Sequence, residues 1–403
     1  MTAPDRWIDA AEAAERLGVK PTTLYSYVSR GLLRRRRHPD GRRSLFDPAE
    51  VDAVRRRAHP PRVEGDLMTF ESAVTTLGTD RPFFRGRDAI GLARTWRYEQ
   101  VAEWLWLGTD APSQRWTSIP AGVAAATVAQ QALPATTLPL ERLQLVVTTL
   151  SVLDPMRFNL DVEAVVATGR AMVAGMVDAL PVQSRRRVAG DASIAERLWS
   201  KLTAAPADPA LVSVLDAALC ILADHELAAS TVAARVAASV KADPYAVVAA
   251  ALGVVSGPMH GGASLGAEAL IAEVARGADP AYVIGERLRR GERIPGIGHP
   301  VYKTGDSRGV AVLDLVRAAA PGHPALAAAD ALVAELQGRQ LPALNIDFAV
   351  ATMAAVTGML RGAGETVFAV ARTAGWLAHA LEEYGRRRPL RPRAVYVGAA
   401  PER

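Results

Sequence analysis

Apolar residues recur with helical spacing along most of the chain, from Met68 onward, in runs rich in alanine, leucine and valine. Prolines and glycines separate these runs, which predicts a series of helices joined by turns. The pattern contains no internal repeat and no sustained heptad. The N-terminal segment differs, because its apolar stretches are short and charged residues separate them. The sequence therefore predicts a small domain at residues 1–58 and a mainly α-helical domain at residues 66–403, with Pro60 and Pro61 between them.

The N-terminal segment predicts two short helices. Asp9 is a typical N-cap, and Glu12 stands where its side chain can cap the same helix reciprocally. This helix is expected to stop at Gly18, since glycine readily adopts the left-handed conformation that ends helices. Pro21 suits the first position of a second helix, which extends to Arg30. Two short helices joined by a glycine-containing turn are typical of a helix-turn-helix.

A basic β-hairpin and a third helix are predicted next. Residues 34–37 are four consecutive arginines, and residues 42–46 follow the turn sequence His-Pro-Asp-Gly. The third helix is expected to start at residues 47–50 and to end in the three arginines at 55–57. This order resembles the winged helix-turn-helix domain of MerR-type regulators, although the long dimerising helix of that family does not follow it.

The distribution of charge points to the same segment. Residues 1–57 contain 13 Lys and Arg against 8 Asp and Glu, whereas the remainder contains 34 of each sign, so the whole net charge of +5 lies there. Such a concentration favours contact with a polyanion. If this segment binds DNA, we expect the arginines to contact phosphates and the second helix to approach base edges. The residues concerned are Thr22, Thr23, Tyr25, Arg34, Arg35, Arg36, Arg37, Arg42 and Arg43. The alternative is a scaffold domain whose arginines form a solvated face.

Cysteine content and hydropathy restrict the class of protein. The single cysteine, Cys220, lies in an apolar run, so we expect a core residue in a reducing compartment. Asp5, Arg6 and Asp9 interrupt the start of the chain, which is unlike a secretory signal. The longest apolar run, residues 245–257, is shorter than the ~18–20 residues that span a bilayer. We therefore expect a cytoplasmic protein with no membrane partner.

Three segments of the helical domain contain candidate catalytic side chains. His260 stands in a Gly-Pro-Met-His-Gly-Gly-Ala sequence, where the glycines let backbone and ligand approach the imidazole closely. His299 follows a glycine, and Arg308 comes nine positions later. Asp347 lies in an Asn-Ile-Asp-Phe sequence at the start of a helical run, where an isolated aspartate would be interpreted as an N-cap.

These segments resemble the motifs of the citrate synthase family. Further segments match that family in the same order, at residues 84–90, 98–108, 224–231, 368–379 and 391–393. The resemblance implies a mainly α fold with a large and a small helical domain, the small one at approximately residues 263–352. This sequence departs from the family at Pro300, at Ser307, where proline is usual, and at Ala228, where asparagine is usual. The last difference puts one polar contact of the site in doubt.

The resemblance assigns roles to individual residues. Asp347 matches the catalytic base, and His260 and His299 match the acid or electrophilic groups. Substrate binding is assigned to His225, Arg308, Arg372 and Arg391. Arg391 would reach into the site of a partner subunit, which implies a homodimer with a shared active site. Lys303 falls where the family places a basic residue toward the phosphates of CoA.

The implied reaction is the condensation of acetyl-CoA with oxaloacetate to citrate and CoA. The α-carbon of a thioester is weakly acidic, so enolisation needs a base on one side and a hydrogen-bond donor to the thioester oxygen on the other. Arginines suit a dicarboxylate because they pair with carboxylates in a bidentate manner. We expect no cofactor, since the acyl-CoA is a substrate, and no metal, since no Cys/His cluster has metal-ligand spacing.

Three alternatives stay open at this point. The acyl group could be propionyl, which would give 2-methylcitrate, because one methylene changes binding by only ~1–3 kcal/mol. The helical domain could instead sense CoA esters or oxaloacetate for a DNA-binding regulator, although a sensor need not keep the base Asp347. The N-terminal domain could also serve assembly alone.

Overall fold

The computed structural model of the chain contains two compact units. One is formed by Met1–Glu71 with Arg391–Arg403, and the other by Ser72–Leu390. The structure describes residues 7–38, 40–41, 43–48, 50–52, 54, 70–110, 114–184, 188, 192–261, 263–394 and 398. The predicted domain boundary between residues 58 and 66 lies outside these ranges and stays a prediction. Within the described ranges, no helix is both long enough and apolar enough to cross a membrane.

The first two helices of the N-terminal unit match the prediction. Helix α1 (Ala10–Leu17) is capped by Asp9, whose side chain accepts from the backbone N–H groups of Ala11 and Glu12. The Glu12 side chain was predicted to cap this helix reciprocally. In the structure it pairs instead with Arg16 on the same helix, at 2.7 Å. Gly18 ends α1 in the left-handed conformation, and α2 (Pro21–Ser29) follows.

A three-stranded antiparallel sheet completes the described part of this unit. The predicted hairpin is present as β2 (Arg35–Arg37) and β3 (Ser44–Phe46). A short strand that was not predicted, β1 (Ile8–Asp9), pairs with the other edge of β3. The third helix is described only at residues 48, 50–52 and 54, so its predicted end at 57 lies outside the described residues.

The second unit begins with a small sheet. Its strands β4 (Thr75–Leu77), β5 (Pro82–Phe84) and β6 (Arg87–Asp88) are antiparallel and lie in that order. The expectation of an almost wholly helical pattern from Met68 was therefore wrong for this stretch. Strands of two or three residues are too short to show the alternation of apolar and polar positions by which strands are predicted.

The rest of the second unit is α-helical. Its described helices are α3 (Ala89–Ala93), α4 (Tyr98–Leu107), α5 (Pro120–Gln130), α6 (Pro139–Val152), α7 (Val162–Ala179), α8 (Ile194–Leu202), α9 (Pro209–Leu222), α10 (Ala229–Ser239), α11 (Pro244–Val255), α12 (Ala263–Ala275), α13 (Pro280–Arg289), α14 (Ser307–Ala319), α15 (Pro324–Gly338), α16 (Ile346–Val356) and α17 (Ala363–Tyr384). Several start with a proline, whose missing N–H is not needed in the first turn.

Helix α17 is the centre of the larger core. Of its 22 residues 18 are buried, and it packs against α4, α7, α9, α10 and α11. A helix that is buried on all sides must find protein partners for every polar side chain it carries. Cys220 lies in this core and is buried, as predicted. The buried polar residues of α17 are therefore candidates for a functional site.

A second, smaller core lies within the predicted small domain at 263–352. It is formed by apolar side chains of α12, α13, α15 and α16. Helix α16 belongs to both cores, because Phe348 and Ala351 face the small one whereas Val350 and Met353 face the large one. Residues at the N-terminus of α16 therefore lie where the two cores adjoin. Closure of the small domain over the large one stays a prediction.

Candidate active site

A cavity of about 480 Å³ opens beside the N-terminus of α16. It is lined by six residues that the sequence predicted for the site, namely His225, His260, His299, Arg308, Asp347 and Arg372. These side chains come from segments far apart in the sequence, and the fold brings them to one place. Leu77 of the small sheet and Ala228 add apolar surface to the lining.

Asn345, and not Asp347, caps α16. The side-chain oxygen of Asn345 accepts from the backbone N–H groups of Asp347 at 3.0 Å and Phe348 at 3.4 Å. Its amide donates to the carbonyl of Gly298 at 2.9 Å, so the same residue fixes the loop before His299. Asp347 is therefore not an N-cap, the role that an isolated aspartate at this position would have, and it lines the cavity.

The surroundings of Asp347 raise its pKa to about 6. Burial is the main cause, and the nearby carboxylate of Asp306 adds to it. The guanidinium groups of Arg308 and Arg372 act in the opposite direction. A carboxyl group with this pKa is still ionised at neutral pH and is a stronger base than an ordinary aspartate.

Backbone geometry fixes the tautomer of His299. The N–H groups of Val301 and Tyr302 both donate to its Nδ1 at 3.1 Å. Because Nδ1 accepts from two backbone N–H groups, the ring proton is assigned to Nε2. Nη2 of Arg308 lies 3.3 Å from Nε2, and since both nitrogens are donors in this tautomer, this contact is not a hydrogen bond. Burial, and then the charge of Arg308, lower the pKa of His299 to about 4. His299 is thus a neutral N–H donor that lines the cavity.

Asp306 orients Arg308 and joins two helices. Its carboxylate accepts from Nε of Arg308 at 2.9 Å and from Nη2 at 2.8 Å. The same carboxylate accepts from the backbone N–H of Ile346, at the start of α16, at 3.1 Å. Ser307 stands where proline was expected, and its N–H donates to the carbonyl of Asp80 at 3.1 Å, a bond that proline would not make.

Ser230 and Trp376 hold His260. Nε2 of His260 is 2.8 Å from Oγ of Ser230, and the indole N–H of Trp376 donates to the same oxygen at 3.2 Å. Since Trp376 takes one lone pair of this oxygen, the Ser230 hydroxyl can donate its proton to Nε2 of His260, and in that case the ring proton of His260 lies on Nδ1. Burial, and then Arg372, lower the pKa of His260 to about 4. The sequence analysis assigned no role to Trp376.

Tyr302 connects two of the histidines. Its hydroxyl lies 2.9 Å from Nε2 of His225, and its ring stacks on that of His299 with the centroids 4.6 Å apart. The rings of His225 and His299 are themselves 5.2 Å apart. Burial lowers the pKa of His225 well below its usual value. Sequence reasoning missed Tyr302, because only the fold brings residue 225 to residue 302.

Arg372 is buried on α17, and its position is fixed by two contacts. Its Nε donates to the carbonyl of Leu222 at 2.8 Å, and its guanidinium lies 4.4 Å from the centroid of the Phe368 ring. Burial lowers its pKa to about 10, so it remains a cation at neutral pH. Arg372 and Arg308 give the cavity two positive charges.

One turn after Arg372, the chain before His225 packs directly on α17. The backbone N–H of Gly375 donates to the carbonyl of Ala223 at 2.9 Å. A Cβ atom at Gly375 would lie 2.2 Å from Oδ1 of Asp224 and 2.5 Å from the carbonyl oxygen of Ala223. Only glycine permits this approach.

Three further positions from the sequence analysis are Lys303, Arg391 and Ala228. Lys303 is exposed and is not among the described residues that line the cavity. Arg391 is exposed and belongs to the unit that contains the N-terminal residues, so its role in a second subunit stays a prediction. Ala228 precedes α10 and makes no side-chain cap, as expected for alanine in place of asparagine.

The N-terminal unit presents most of its predicted DNA contacts at the surface. Thr22, Tyr25, Arg34–Arg37 and Arg43 are exposed, and Thr23 is half-buried. Arg34 donates to Glu50, and Arg43 pairs with Asp40 at 2.8 Å, whereas β2 presents Arg35, Arg36 and Arg37. Arg42 lies outside the described residues.

Comparison with protein families divides the chain into two parts. The model described as "Citrate synthase, C-terminal domain" matches residues 65–393, and the model described as "Helix-turn-helix domain" matches residues 7–59. The MerR subtype is not specified by this match. The two matched ranges together account for most of the chain.

Two curated relatives and one solved structure show the same similarity. "Citrate synthase 2" of Bacillus subtilis is 34% identical over 57% of this chain and 63% of its own length. "2-methylcitrate synthase" of Shewanella oneidensis is 34% identical over 47% of this chain and 52% of its own length. The chain thus spans less than two thirds of these relatives. The crystal structure of citrate synthase from Pyrobaculum aerophilum matches with a TM-score of 0.69 and 26% identity, over 83% of this chain and 91% of that one.

Replacement of Gly375 tests the packing beneath the cavity. We expect Gly375→Ala to lower the melting temperature, because the new methyl group meets a carboxylate and a backbone carbonyl that must both shift. Overpacking of this kind costs about 1–3 kcal/mol. Gly338→Ala is the control, since no atom lies within 4 Å of a Cβ at that position. Equal melting temperatures for the two variants would contradict the packing argument.

Proposed function

The chain belongs to the citrate synthase family, and we propose that it condenses acetyl-CoA with oxaloacetate to give citrate and free CoA. The observation that supports this most directly is a single cavity with a carboxylate of raised pKa, histidines of lowered pKa and two arginines. These are the base, the N–H donors and the cations that the reaction requires. In this proposal both acyl-CoA and oxaloacetate are substrates, and no further cofactor takes part.

In the proposed first step, Asp347 removes a proton from the methyl group of acetyl-CoA. Negative charge then develops on the thioester oxygen, and the N–H of His260 donates to it. A neutral imidazole can fill this role, because its one N–H group is a donor that can be directed at the oxygen on which charge develops. The lowered pKa of His260 keeps it in that form at neutral pH.

In the second step, the enol carbon attacks the ketone carbon of oxaloacetate. Nε2–H of His299 donates to the ketone oxygen and gives its proton to the alkoxide as the carbon–carbon bond forms, and the proton that Asp347 removed from the methyl group then restores the neutral imidazole. Arg308 and Arg372 bind the carboxylates, in a site where the bidentate Asp306 pair already orients Arg308. His225 contacts the same substrate, and Arg391 of a second copy of the chain completes the site. Water then cleaves the citryl thioester and releases citrate and CoA.

Propionyl-CoA is the alternative acyl donor, with 2-methylcitrate as the product. The Shewanella relative is named 2-methylcitrate synthase. Ala228 also leaves apolar surface in the cavity where an asparagine was expected. A test is to measure free CoA with acetyl-CoA and with propionyl-CoA, each with oxaloacetate. Faster release with acetyl-CoA supports citrate formation, and faster release with propionyl-CoA supports 2-methylcitrate. Turnover with neither would favour a sensor of these ligands.

Asp347→Asn should abolish condensation while oxaloacetate binding stays nearly intact. The amide keeps the shape of the carboxylate and loses its basicity, and general-base catalysis contributes ~10²–10⁴-fold. Release of CoA measures the rate, and calorimetry measures the affinity for oxaloacetate. Near-wild-type turnover by this variant would show that Asp347 is not the base.

The pH dependence of kcat/KM should report the same group. The base must be ionised, so kcat/KM is expected to fall as the pH drops through about 6, where Asp347 takes up a proton. His260 and His299, with pKa values of about 4, stay neutral over that range and do not cause this fall. Full activity retained down to pH 5 would contradict the assignment.

Duplex DNA binding is the second candidate function, and it concerns the N-terminal unit alone. Its match to a helix-turn-helix domain and the exposed strand Arg35–Arg37 support it. In this proposal Thr22, Thr23 and Tyr25 approach base edges, and the arginines contact phosphates. Arg34 and Arg43 already pair with carboxylates, so the largest share of phosphate contact is assigned to β2.

Two neighbouring arginines offer a matched test of this assignment. Arg35→Ala should weaken DNA binding at every sequence about equally and reduce the salt slope by about one. Arg34→Ala should have the smaller effect, because Arg34 already pairs with Glu50. Affinities measured between 50 and 200 mM salt, starting from a duplex selected out of a random pool, give the comparison. Enrichment of no sequence at moderate salt would instead support a scaffold role.

A further inference from the structure

Behind the cavity, a buried guanidinium group is paired with two carboxylates. Arg235 on α10 is fully buried and donates from Nη1 to Glu382 at 2.6 Å and from Nη2 to Glu383. Glu382 also accepts from the backbone N–H of Ala73 at 2.7 Å. A buried charge needs such partners, because the cost of leaving it unpaired is high. Arg235 is therefore fixed in place.

Arg235 sets the tautomer of His379 on α17. Its Nη1 lies 2.7 Å from Nδ1 of His379. A guanidinium has no acceptor, so Nδ1 accepts this bond and the ring proton lies on Nε2. That nitrogen is 3.3 Å from Oδ2 of Asp224, to which it donates. Both His379 and Asp224 are fully buried.

Asp224 in turn holds the bend of the chain that presents His225. Its Oδ2 accepts from the backbone N–H of Glu226 at 3.1 Å. Glu226 has a φ of 53°, the left-handed conformation that is unfavourable for residues other than glycine and persists only when its surroundings enforce it. His225 stands between these two residues and lines the cavity. The carboxylate of Asp224 therefore helps to set the direction of His225.

Asp224 also balances the charge of Arg372. Burial lowers the pKa of Arg372, and the nearby carboxylate of Asp224 is the main effect that opposes this. The carboxylate thus stabilises the cationic form of Arg372 from within the protein. A dicarboxylate in the cavity then meets a guanidinium that is kept charged.

We propose that His379 is a positioning residue for the 2-oxo acid substrate. Fixed by Arg235 as the Nε2–H tautomer, it holds Asp224, and Asp224 positions His225 and stabilises Arg372. His379 is not among the described residues that line the cavity, so it acts through Asp224. The identity of the ligand rests on the proposed function.

Two substitutions test the contacts of the two ring nitrogens of His379 separately. His379→Asn keeps an acceptor for Arg235 but is too short to reach Asp224, whereas His379→Gln extends an amide N–H toward Asp224. We expect His379→Asn to raise the Kd and the KM for oxaloacetate about tenfold, the effect of one lost hydrogen bond, with a smaller change in the KM for acyl-CoA. His379→Gln should stay within about threefold of the wild type, because it retains that bond.

A matched control removes a buried hydrogen bond from the same helix. Thr366→Val loses the bond from Oγ1 to the carbonyl of Gly362 at 2.8 Å, so it should lower the melting temperature without changing the affinity for oxaloacetate. Unchanged affinity in His379→Asn, or the same loss in His379→Asn and His379→Gln, would overturn the positioning role. A greater loss in His379→Asn than in His379→Gln supports it.

The tautomer of His379 is a second readout, and it uses the wild-type protein. The chain has only 7 histidines, so ring ¹⁵N shifts in histidine-labelled protein can be assigned. A ring with its proton on Nε2 is expected, because Nδ1 accepts from Arg235, and a proton on Nδ1 would overturn the proposal. Absence of turnover with either acyl-CoA would count against condensation alone, because the tautomer and the oxaloacetate affinity are measured without turnover.

Discussion

The close approach of the segment before His225 to helix α17 is the contact on which the site depends. The carbonyl of Ala223 accepts from the N–H of Gly375, and the carboxylate of Asp224 lies where any side chain at Gly375 would be. A single absent Cβ thus lets the segment before His225 lie against a helix of which 18 of 22 residues are buried. This contact holds the segment of His225 against the helix of Arg372, and both side chains line the cavity.

Side chains on one face of α17 line the cavity or hold other residues of the site. Arg372, Trp376 and His379 stand at positions i, i+4 and i+7, so they lie along the same side of the helix. Arg372 lines the cavity, Trp376 donates to the serine that holds His260, and His379 donates to Asp224. The cavity is also lined by the start of α16 and by the loop of His299, which Asn345 and Asp306 fix. Asp347, the proposed base, lines the same cavity.

Local patterns in the sequence predicted the starts of the first two helices and the N-terminal hairpin, and the resemblance to a family predicted six of the residues that line the cavity. Such patterns report the backbone conformation that a segment must adopt. The glycines beside His260 and the Asn-Ile-Asp-Phe sequence were informative for this reason. They do not report pairs that meet only in the fold. Tyr302 with His225 and His379 with Asp224 are each separated by many residues, and nothing local distinguishes these side chains from core-packing ones. The three-residue strands of the second unit were missed because they are too short to show a period.

Exchange of the methyl protons of acetyl-CoA in D₂O tests the central claim, that this cavity generates an enol, most directly. The protein is saturated with malate, a dicarboxylate without a ketone, so that no carbon–carbon bond can form, and the methyl signal is followed by NMR. We expect steady exchange by the wild type and none above background by Asp347→Asn. Exchange at the wild-type rate by Asp347→Asn, or none by wild-type protein to which malate is bound, would contradict it.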